Sequence, residues 1–182
     1  SMNRLWNTSL GKTNFERVQA NPEEFETYHT LYHEAENDWP YKPIDKVIEQ
    51  MKDMEGCIIA DFGCGTGRLM EALGDEYKVL SFDVIGVNEK IIECNIADQI
   101  PLGKNSVDIG VFCLSLMGKD WPQMIHSSRR VLKPTGQILI WATKKQISLD
   151  EIEEVVNNAG FKDIKIDSSD SLGPFFKVSA LV

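Results

Sequence analysis

The segment that most constrains the fold is 58–68, in which an apolar stretch runs directly into three alternating glycines. Asp61 stands at the junction, and the next apolar stretch, 79–82, ends at a second acid, Asp83. A strand, a glycine turn, a helix and a second strand ending in a carboxylate form a unit that binds nucleosides. Because glycines let the backbone approach a ligand and a carboxylate accepts hydrogen bonds from ribose hydroxyls, this pattern predicts a nucleoside pocket.

The glycine spacing distinguishes between classes of nucleoside ligand. A dinucleotide fold needs G-x-G-x-x-G, but the position of its third glycine is occupied by Arg68. The P-loop pattern G-x-x-x-x-G-K-[ST] is also absent, which removes the main support for nucleotide hydrolysis. The remaining D-x-G-x-G-x-G resembles the first motif of class I S-adenosylmethionine-dependent methyltransferases, and the likeness extends over residues 57–182. A tight turn without a ligand stays the alternative for the glycines alone.

The charge and composition of the chain restrict the kinds of partner and ligand that it can bind. The formal charge of −9 and a pI near 4.8 make the chain poorly suited to hold a polynucleotide alone, so RNA or DNA would need a local basic patch, a basic segment or a partner. No apolar run approaches a membrane span, and we expect one soluble domain with no membrane partner. The four cysteines form no C-x-x-C pair, which favours free thiols over a metal or disulfide. The start Ser1-Met2 is interpreted as a cloning remnant, with the natural chain extending further.

Alternating apolar runs and amphipathic stretches predict an α/β fold with a doubly wound, mostly parallel seven-stranded sheet. We expect strands at 57–62, 78–83, 91–95, 107–113, 137–142, 162–166 and 175–181, and helices at 44–52, 67–73 and 121–132. Ser148 and Glu151 form a capping box at the start of a further helix that ends at Gly160. The last two strands lack room for a crossover helix between them, so they are predicted to pair antiparallel.

The N-terminal region predicts helices over 3–38, with Phe25, Tyr28 and Tyr32 on one face and Asn21 as a helix cap. Prolines in the segment 39–43 end this region. We therefore expect a helical cap over residues 1–42 and a binding domain over 43–182.

Several segments together resemble the nucleomethylin, or ribosomal RNA-processing protein 8, family of nucleolar methyltransferases. They are Phe25-x-x-Tyr28-His29, Trp39-Pro40-x-x-Pro43-Ile44-Asp45, Asp61-Phe62-Gly63-Cys64-Gly65 and Phe112-Cys113-Leu114-Ser115-Leu116-Met117-Gly118. The resemblance spans about residues 3 to 182. It implies S-adenosyl-L-methionine as cofactor, S-adenosyl-L-homocysteine as product, and methylation of N1 of an adenine in large-subunit ribosomal RNA.

The same resemblance implies location in the nucleus and nucleolus, ribosomal RNA or the pre-ribosome as partner, a basic N-terminal segment absent from this sequence, and chromatin partners. It also implies a set of cofactor contacts. With Gly65 from the glycine motif, the predicted cofactor residues are His29, Gly63, Gly65, Asp83, Asn95, Ile96 and Cys113.

Four of these residues have ordinary structural alternatives, and for Asp83 the alternative is a helix-capping or surface acid. Asn95 stands where the family carries aspartate, and the alternative is an ordinary β-turn asparagine. His29 on an aromatic helix face is usually a packing residue, and only the resemblance makes it a cofactor contact. Cys113 ends the fourth strand and is interpreted as a wall of the pocket rather than a nucleophile.

The acceptor side is weakly marked in the sequence. The fourth strand lacks the Asn/Asp-Pro-Pro-Tyr clamp of exocyclic adenine amine methylases, and no residue is assigned as a base, since Asp108 and Asp120 are interpreted as a turn acid and a helix cap. Candidate RNA contacts are Lys119, Arg129, Arg130, Lys133, Lys144, Lys145 and the tryptophans Trp6, Trp39, Trp121 and Trp141. A cofactor-binding scaffold with little catalysis and a small-molecule methyltransferase remain as alternatives.

Overall fold

The computed structural model describes residues 11–182, and side-chain surroundings from Phe15 onward, so Trp6 lies outside the described residues. The strands are β1 (Ile58–Phe62), β2 (Lys78–Asp83), β3 (Ile91–Glu93), β4 (Val107–Cys113), β5 (Leu132–Thr143), β6 (Lys162–Asp167) and β7 (Phe175–Leu181). The helices are α1 (Gly11–Ala20), α2 (Pro22–Glu36), α3 (Pro43–Met51), α4 (Arg68–Leu73), α5 (Trp121–Val131) and α6 (Leu149–Asn158), with a 3-10 turn at Asp170–Leu172.

The strands form a seven-stranded sheet in the order β3-β2-β1-β4-β5-β7-β6. The first five in this order run parallel, while β7 is antiparallel to both β5 and β6. The predicted fold class and the antiparallel final pair are therefore confirmed. Because the strand order reverses between β1 and β4, their carboxyl ends open the crevice in which such sheets bind ligands.

Both faces of the sheet are buried, as the apolar runs require. On one face the rings of Phe62 and Phe112 lie 5.1 Å apart and pack with Ile125 of α5 and Ile152 of α6. On the other face, β-strand side chains such as Ile59 pack against α3 and α4. This double layer fixes the strand ends, and with them the loops that follow β1, β2 and β4.

Two predicted strand boundaries are wrong by more than one residue. Strand β5 begins at Leu132 rather than at 137, because Leu132 pairs with Val107 before an irregularity in the register. Gly136 permits this irregular start, since a Cβ there would lie 2.9 Å from the Lys133 carbonyl oxygen. Strand β3 ends at Glu93 rather than at 95: the Cys94 N–H still donates to the Asp83 carbonyl oxygen at 2.8 Å, but a turn begins at Asn95, whose carbonyl oxygen accepts from the Asp98 N–H.

The helix caps are partly as predicted. The Ser148 hydroxyl accepts a hydrogen bond from the Glu151 backbone N–H at 3.2 Å, which confirms this part of the capping box. Asn21 and Asp120 occupy the N-cap positions of α2 and α5 as predicted, but their side chains make no cap hydrogen bond. Helix α2 instead begins with Pro22 followed by acids in its first turn, which suits the positive end of a helix dipole.

Helices α1 and α2 lie over the loops after β2 and β4. Val18 and Phe25 form a small apolar cluster that includes Val84 and Met117, and Gln19 donates to the Val84 carbonyl oxygen at 3.1 Å. The two helices thus have their own anchor on the sheet domain, while the division after residue 42 stays a prediction. No helix among the described residues is both long and apolar enough to cross a membrane.

Candidate functional site

A cleft opens at the carboxyl ends of β1, β2 and β4 beneath α2, and it contains about 1200 Å³ free of protein atoms, including solvent at its mouth. All the residues predicted to contact a cofactor line this one cleft: His29, Gly63, Gly65, Asp83, Asn95, Ile96 and Cys113. The structure therefore brings them together, while their role in binding stays a prediction. The lining continues along α2 to Glu36 and along the following turn to Lys42.

The glycine turn has left-handed backbone at Gly63 (φ 76°), Gly65 (φ 60°) and Gly67 (φ 84°), which explains the alternation. The backbone N–H of Gly63 donates to the carbonyl oxygen of Phe82 in β2 at 2.8 Å. Gly63 and Gly65 are required for different reasons. A Cβ on Gly63 would overlap the Ser115 side chain, whereas a Cβ on Gly65 would face open cleft except for His29 at 3.5 Å.

Asp83 is fixed in place by the loops around it. One of its carboxylate oxygens accepts from the Gly65 N–H and the other from the Val84 N–H, both at 2.7 Å. Burial raises its pKa to about 6, although these two hydrogen bonds act in the opposite direction. Each oxygen keeps a further lone pair, so the carboxylate can still accept hydrogen bonds from a ligand.

Asp61 is a cleft residue to which the sequence reasoning assigned no contact. Only 2% of its surface is exposed, and its Oδ2 has no hydrogen-bond partner in the described structure. Burial, and then the nearby charge of Asp83, raise its pKa to about 7. A buried carboxylate oxygen without a partner is costly, so a donor or cation in the cleft would stabilise it. Its position at the head of the glycine motif was the signal that pointed to it.

The loop after β3 supplies the far wall. Asn95 forms an Asx turn, in which its side-chain oxygen accepts from the Ala97 N–H at 3.2 Å. Asn95 therefore forms a turn and also lines the cleft, so its interpretation as a turn residue does not exclude a contact with a ligand. Ile96 is 7% exposed and adds an apolar surface beside it.

His29 projects from α2 over the glycine turn. Burial lowers its pKa to about 4, with smaller contributions from the nearby His33 and Arg68. The imidazole is therefore neutral at physiological pH. Its Nε2 is buried and has no hydrogen-bond partner, while its ring packs edge-on against Phe25 with centroids 4.2 Å apart.

An ion-pair cluster links α2 to α4. The Arg68 guanidinium donates to both carboxylate oxygens of Glu36, at 2.9 and 2.8 Å, and its Nη2 lies 2.6 Å from His33 Nδ1. Glu36 is only 5% exposed, and Lys42 Nζ approaches its carboxylate at 3.9 Å. Arg68, which breaks the dinucleotide pattern, thus ties the glycine loop to the helix above it.

Cys113 and the neighbouring tyrosines stay protonated. Burial is the largest cause of the raised pKa of Cys113, and the same holds for Tyr28 and Tyr32 on α2. A thiol held protonated is a weak nucleophile, which agrees with the interpretation of Cys113 as a wall.

Several candidate RNA contacts have structural roles. Arg130 donates to two backbone carbonyl oxygens at 2.7 and 2.8 Å, and Lys144 donates to the Gly173 carbonyl oxygen at 2.9 Å. Lys133 forms an ion pair with Asp108 at 3.2 Å. Asp108 itself lies in β4, not in a turn as predicted, and accepts a hydrogen bond from a backbone N–H of β1 at 2.8 Å.

Two of the described tryptophans, Trp121 and Trp141, are buried, whereas Trp39 is half-buried and lines the cleft. Among the described residues, no group of three His, Cys, Asp or Glu side chains is placed to hold a metal ion.

Comparison with known proteins places this fold in a family. A family model described as "Hypothetical methyltransferase" matches residues 2–179. The chain is 31% identical over 179 residues to the ribosomal RNA-processing protein 8 of Arabidopsis thaliana, a match covering 94% of this chain and 61% of that protein. It is 31% identical over 156 residues to a Schizosaccharomyces pombe protein named 25S rRNA (adenine(645)-N(1))-methyltransferase, covering 80% of this chain and 48% of that protein. The chain spans about half the length of the curated relatives it matches.

Solved structures show the same fold. A TehB-like SAM-dependent methyltransferase from Corynebacterium glutamicum superposes with a TM-score of 0.70 at 19% identity, over 88% of this chain and 99% of that one. The 1,6-didemethyltoxoflavin-N1-methyltransferase of Burkholderia thailandensis, solved with S-adenosylhomocysteine, gives 0.60 at 16% identity, over 86% and 85%. Because the family match covers nearly the whole chain and the sheet is that of solved methyltransferases, the chain belongs to the ribosomal RNA-processing protein 8 family of class I methyltransferases.

Proposed function

We propose that this chain is an S-adenosyl-L-methionine-dependent methyltransferase that methylates N1 of an adenine in large-subunit ribosomal RNA and releases S-adenosyl-L-homocysteine. The observation that carries the cofactor assignment is the unpartnered Oδ2 of buried Asp61, in the same cleft as Asp83 and the glycine turn. A ligand with both an ammonium group and a ribose suits these two carboxylates, because Asp61 Oδ2 has no protein donor and Asp83 keeps lone pairs for further donors.

The remaining lining fits the other parts of this cofactor. Gly65 leaves open space for an amino-acid backbone, and Asn95 and Ile96 offer a polar group and an apolar surface to an adenine ring. The neutral His29 over the turn has a free ring nitrogen for a hydrogen bond. Asn95 accepts without a negative charge, so its contribution to adenine binding is smaller than that of the aspartate it replaces.

When bound, the cofactor supplies an electrophilic methyl carbon, to which the acceptor nitrogen bonds as the carbon–sulfur bond breaks and sulfur keeps the electron pair. The protein's part is to position the acceptor and exclude water, which the aromatic side chains of α2 do by roofing the cleft. Adenine N1 carries its lone pair at neutral pH, so no side chain has to remove a proton before attack. The positive charge of the sulfonium passes to the methylated base, so the transfer balances without loss of a proton.

The acceptor assignment is supported by the relatives' names, which refer to ribosomal RNA processing and to adenine N1 methylation of 25S rRNA. We propose ribosomal RNA or the pre-ribosome as partner and the nucleolus within the nucleus as location. At a net charge of −9, RNA affinity would draw on a local basic patch, a basic segment or a partner protein. A chromatin complex, which the family resemblance implies, remains a second proposed partner.

Calorimetry with S-adenosyl-L-homocysteine tests the pocket. Asp83→Asn should weaken binding at least 10-fold, because the ribose then loses a charged acceptor, whereas Asp75→Asn, at an exposed site outside the cleft, should leave it unchanged. Asn95→Leu should weaken binding about 10-fold, and Asn95→Asp should strengthen it. Equal affinities for all four variants would refute the cofactor site.

The acceptor is tested by mapping ribosomal RNA methylation in cells with and without the full-length protein. We expect one adenine N1 methyl group to disappear without the protein, and to return with the wild type but not with Asp83→Asn. An unchanged map together with intact S-adenosyl-L-homocysteine binding would instead identify a cofactor-binding scaffold.

A further inference from the structure

The cleft extends beyond the residues that the proposed cofactor requires. The cofactor residues on the sheet come from the loops after β1, β2 and β3 and from the end of β4. A further part of the lining comes from the end of α2, the turn that follows it and the start of α3, on the side where Trp39 packs against Phe175 of β7. We call this outer part the aromatic vestibule and define it by Tyr32, Trp39, Pro43, Ile44 and Leu114.

The vestibule has a rigid aromatic wall. The rings of Tyr32 and Trp39 lie 5.6 Å apart and nearly perpendicular, at 88°. Phe175 at the start of β7 supports Trp39 from another side, with centroids 5.2 Å apart at 84°. Trp39 is thus held between two rings, yet it stays half-buried and in contact with the open cleft. A core tryptophan would be enclosed, as Trp141 is at 2% exposure.

The charged side chains around the vestibule suit a ligand that has a neutral group next to an anionic group. Arg68 neutralises the buried Glu36, so this carboxylate does not repel a ligand there. Lys42 stands at the rim with 44% of its side chain exposed, and its ammonium is 3.9 Å from the Glu36 carboxylate. An indole surface with a lysine at its edge matches a nucleobase and its phosphate.

We propose that the aromatic vestibule is the acceptor-base site, in which a single unstacked base lies against Trp39 with Tyr32 as side wall and Lys42 near its phosphate. The proposal rests on the proposed function and specifies where the RNA base binds. The net charge of the chain favours such local recognition over a long phosphate track, because one base and one phosphate need little positive surface.

The test uses the wild-type protein saturated with S-adenosyl-L-homocysteine and a short single-stranded RNA that carries one 2-aminopurine. Stacking on Trp39 should quench the 2-aminopurine fluorescence on binding. Trp39→Leu should weaken RNA binding about 10-fold and remove the quenching, whereas Trp39→Phe should keep most of both. The affinity for S-adenosyl-L-homocysteine should change less than about 2-fold in either variant. Leu31→Ala, an exposed position of α2 outside the cleft lining, is the matched control and should change nothing.

Lys42→Ala gives an independent readout. It should lower RNA affinity and reduce the slope of log affinity against log salt by about one unit, while the quenching at saturation stays. Unchanged RNA affinity and quenching in Trp39→Leu would overturn the acceptor site. So would a loss of RNA affinity matched by an equal loss of S-adenosyl-L-homocysteine affinity, which would make Trp39 a cofactor or folding residue. Failure of the wild type to bind S-adenosyl-L-homocysteine at all would instead refute the proposed function.

Discussion

The ion pair between Glu36 and Arg68 gives the sharpest prediction, because it joins the N-terminal helices to the helix that follows the glycine turn. We consider Arg68→Met, which keeps most of the side-chain volume and removes the charge. Burial by itself would raise the pKa of Glu36, but hydrogen bonds from Arg68 and His33 outweigh burial and lower it. Without Arg68, a nearly buried carboxylate loses its two strongest donors.

The magnitude follows from exposure and from the remaining partners. Removing one member of a buried ion pair costs about 3–5 kcal/mol. Here the Glu36 side chain is 4% exposed but that of Arg68 is 28% exposed, and His33 and Lys42 remain 3.2 and 3.9 Å from the carboxylate. We therefore expect Arg68→Met to lower the free energy of unfolding at pH 7 by about 2–3 kcal/mol.

Urea unfolding of a double-mutant cycle with Glu36→Gln measures the coupling directly. The double variant should lose less than the sum of the single variants, with a coupling energy of about 2 kcal/mol. The exposed pair of Glu49 and Lys52, whose charged atoms lie 3.3 Å apart, is the matched control and should couple by less than about 0.5 kcal/mol. Equal couplings in the two cycles would refute the reasoning that burial gives the Arg68 pair its strength.

Two further predictions concern the floor of the cleft. Gly63→Ala should cost about 2 kcal/mol more than Gly56→Ala: both glycines have φ 76°, but a Cβ overlaps Ser115 only at Gly63, and chemical unfolding of both variants checks this. Burial raises the pKa of Asp61 to about 7 and that of Asp83 to about 6, from 3.8, so the folded state binds more protons than the unfolded chain between about pH 4 and 7. The free energy of unfolding should therefore fall as pH rises through this window, and Asp61→Asn should flatten the fall and increase stability at pH 7; a wild-type stability that rises over the same range would contradict it.

The sequence was informative wherever a local pattern has a single physical solution. Strands β4 and β7 match their predicted limits because continuous apolar runs must be buried on both faces. The glycine alternation predicted the turn, and the acid after β2 predicted a carboxylate in the cleft. These features depend on neighbours a few residues apart, which a single sequence displays.

Features set by distant contacts were not predictable. Position 63 must be glycine because a Cβ there would overlap Ser115, which lies in the loop after β4. The ion-pair partner of Arg68 is Glu36, which lies in α2. Strand β5 begins early because it pairs with Val107, a contact that no local pattern in the segment 132–136 reveals. Only the hydrogen bonds of the folded structure reveal that Asp61 Oδ2 is buried without a donor.

The rim of the cleft is built from the two ends of the described chain. Trp39 packs on Phe175, and the Tyr41 hydroxyl donates to the Leu172 carbonyl oxygen at 2.7 Å across a separation of 131 residues. During synthesis, the parallel strands β1 to β5 leave the ribosome before Leu172 does. A nascent chain that ends before Leu172 therefore carries the glycine turn and the carboxylates of Asp61 and Asp83. The outer wall of the cleft, which includes Trp39, has no support from Leu172 and Phe175 until β7 emerges. The outer wall is thus the last part of the cleft that can be completed as the chain is made.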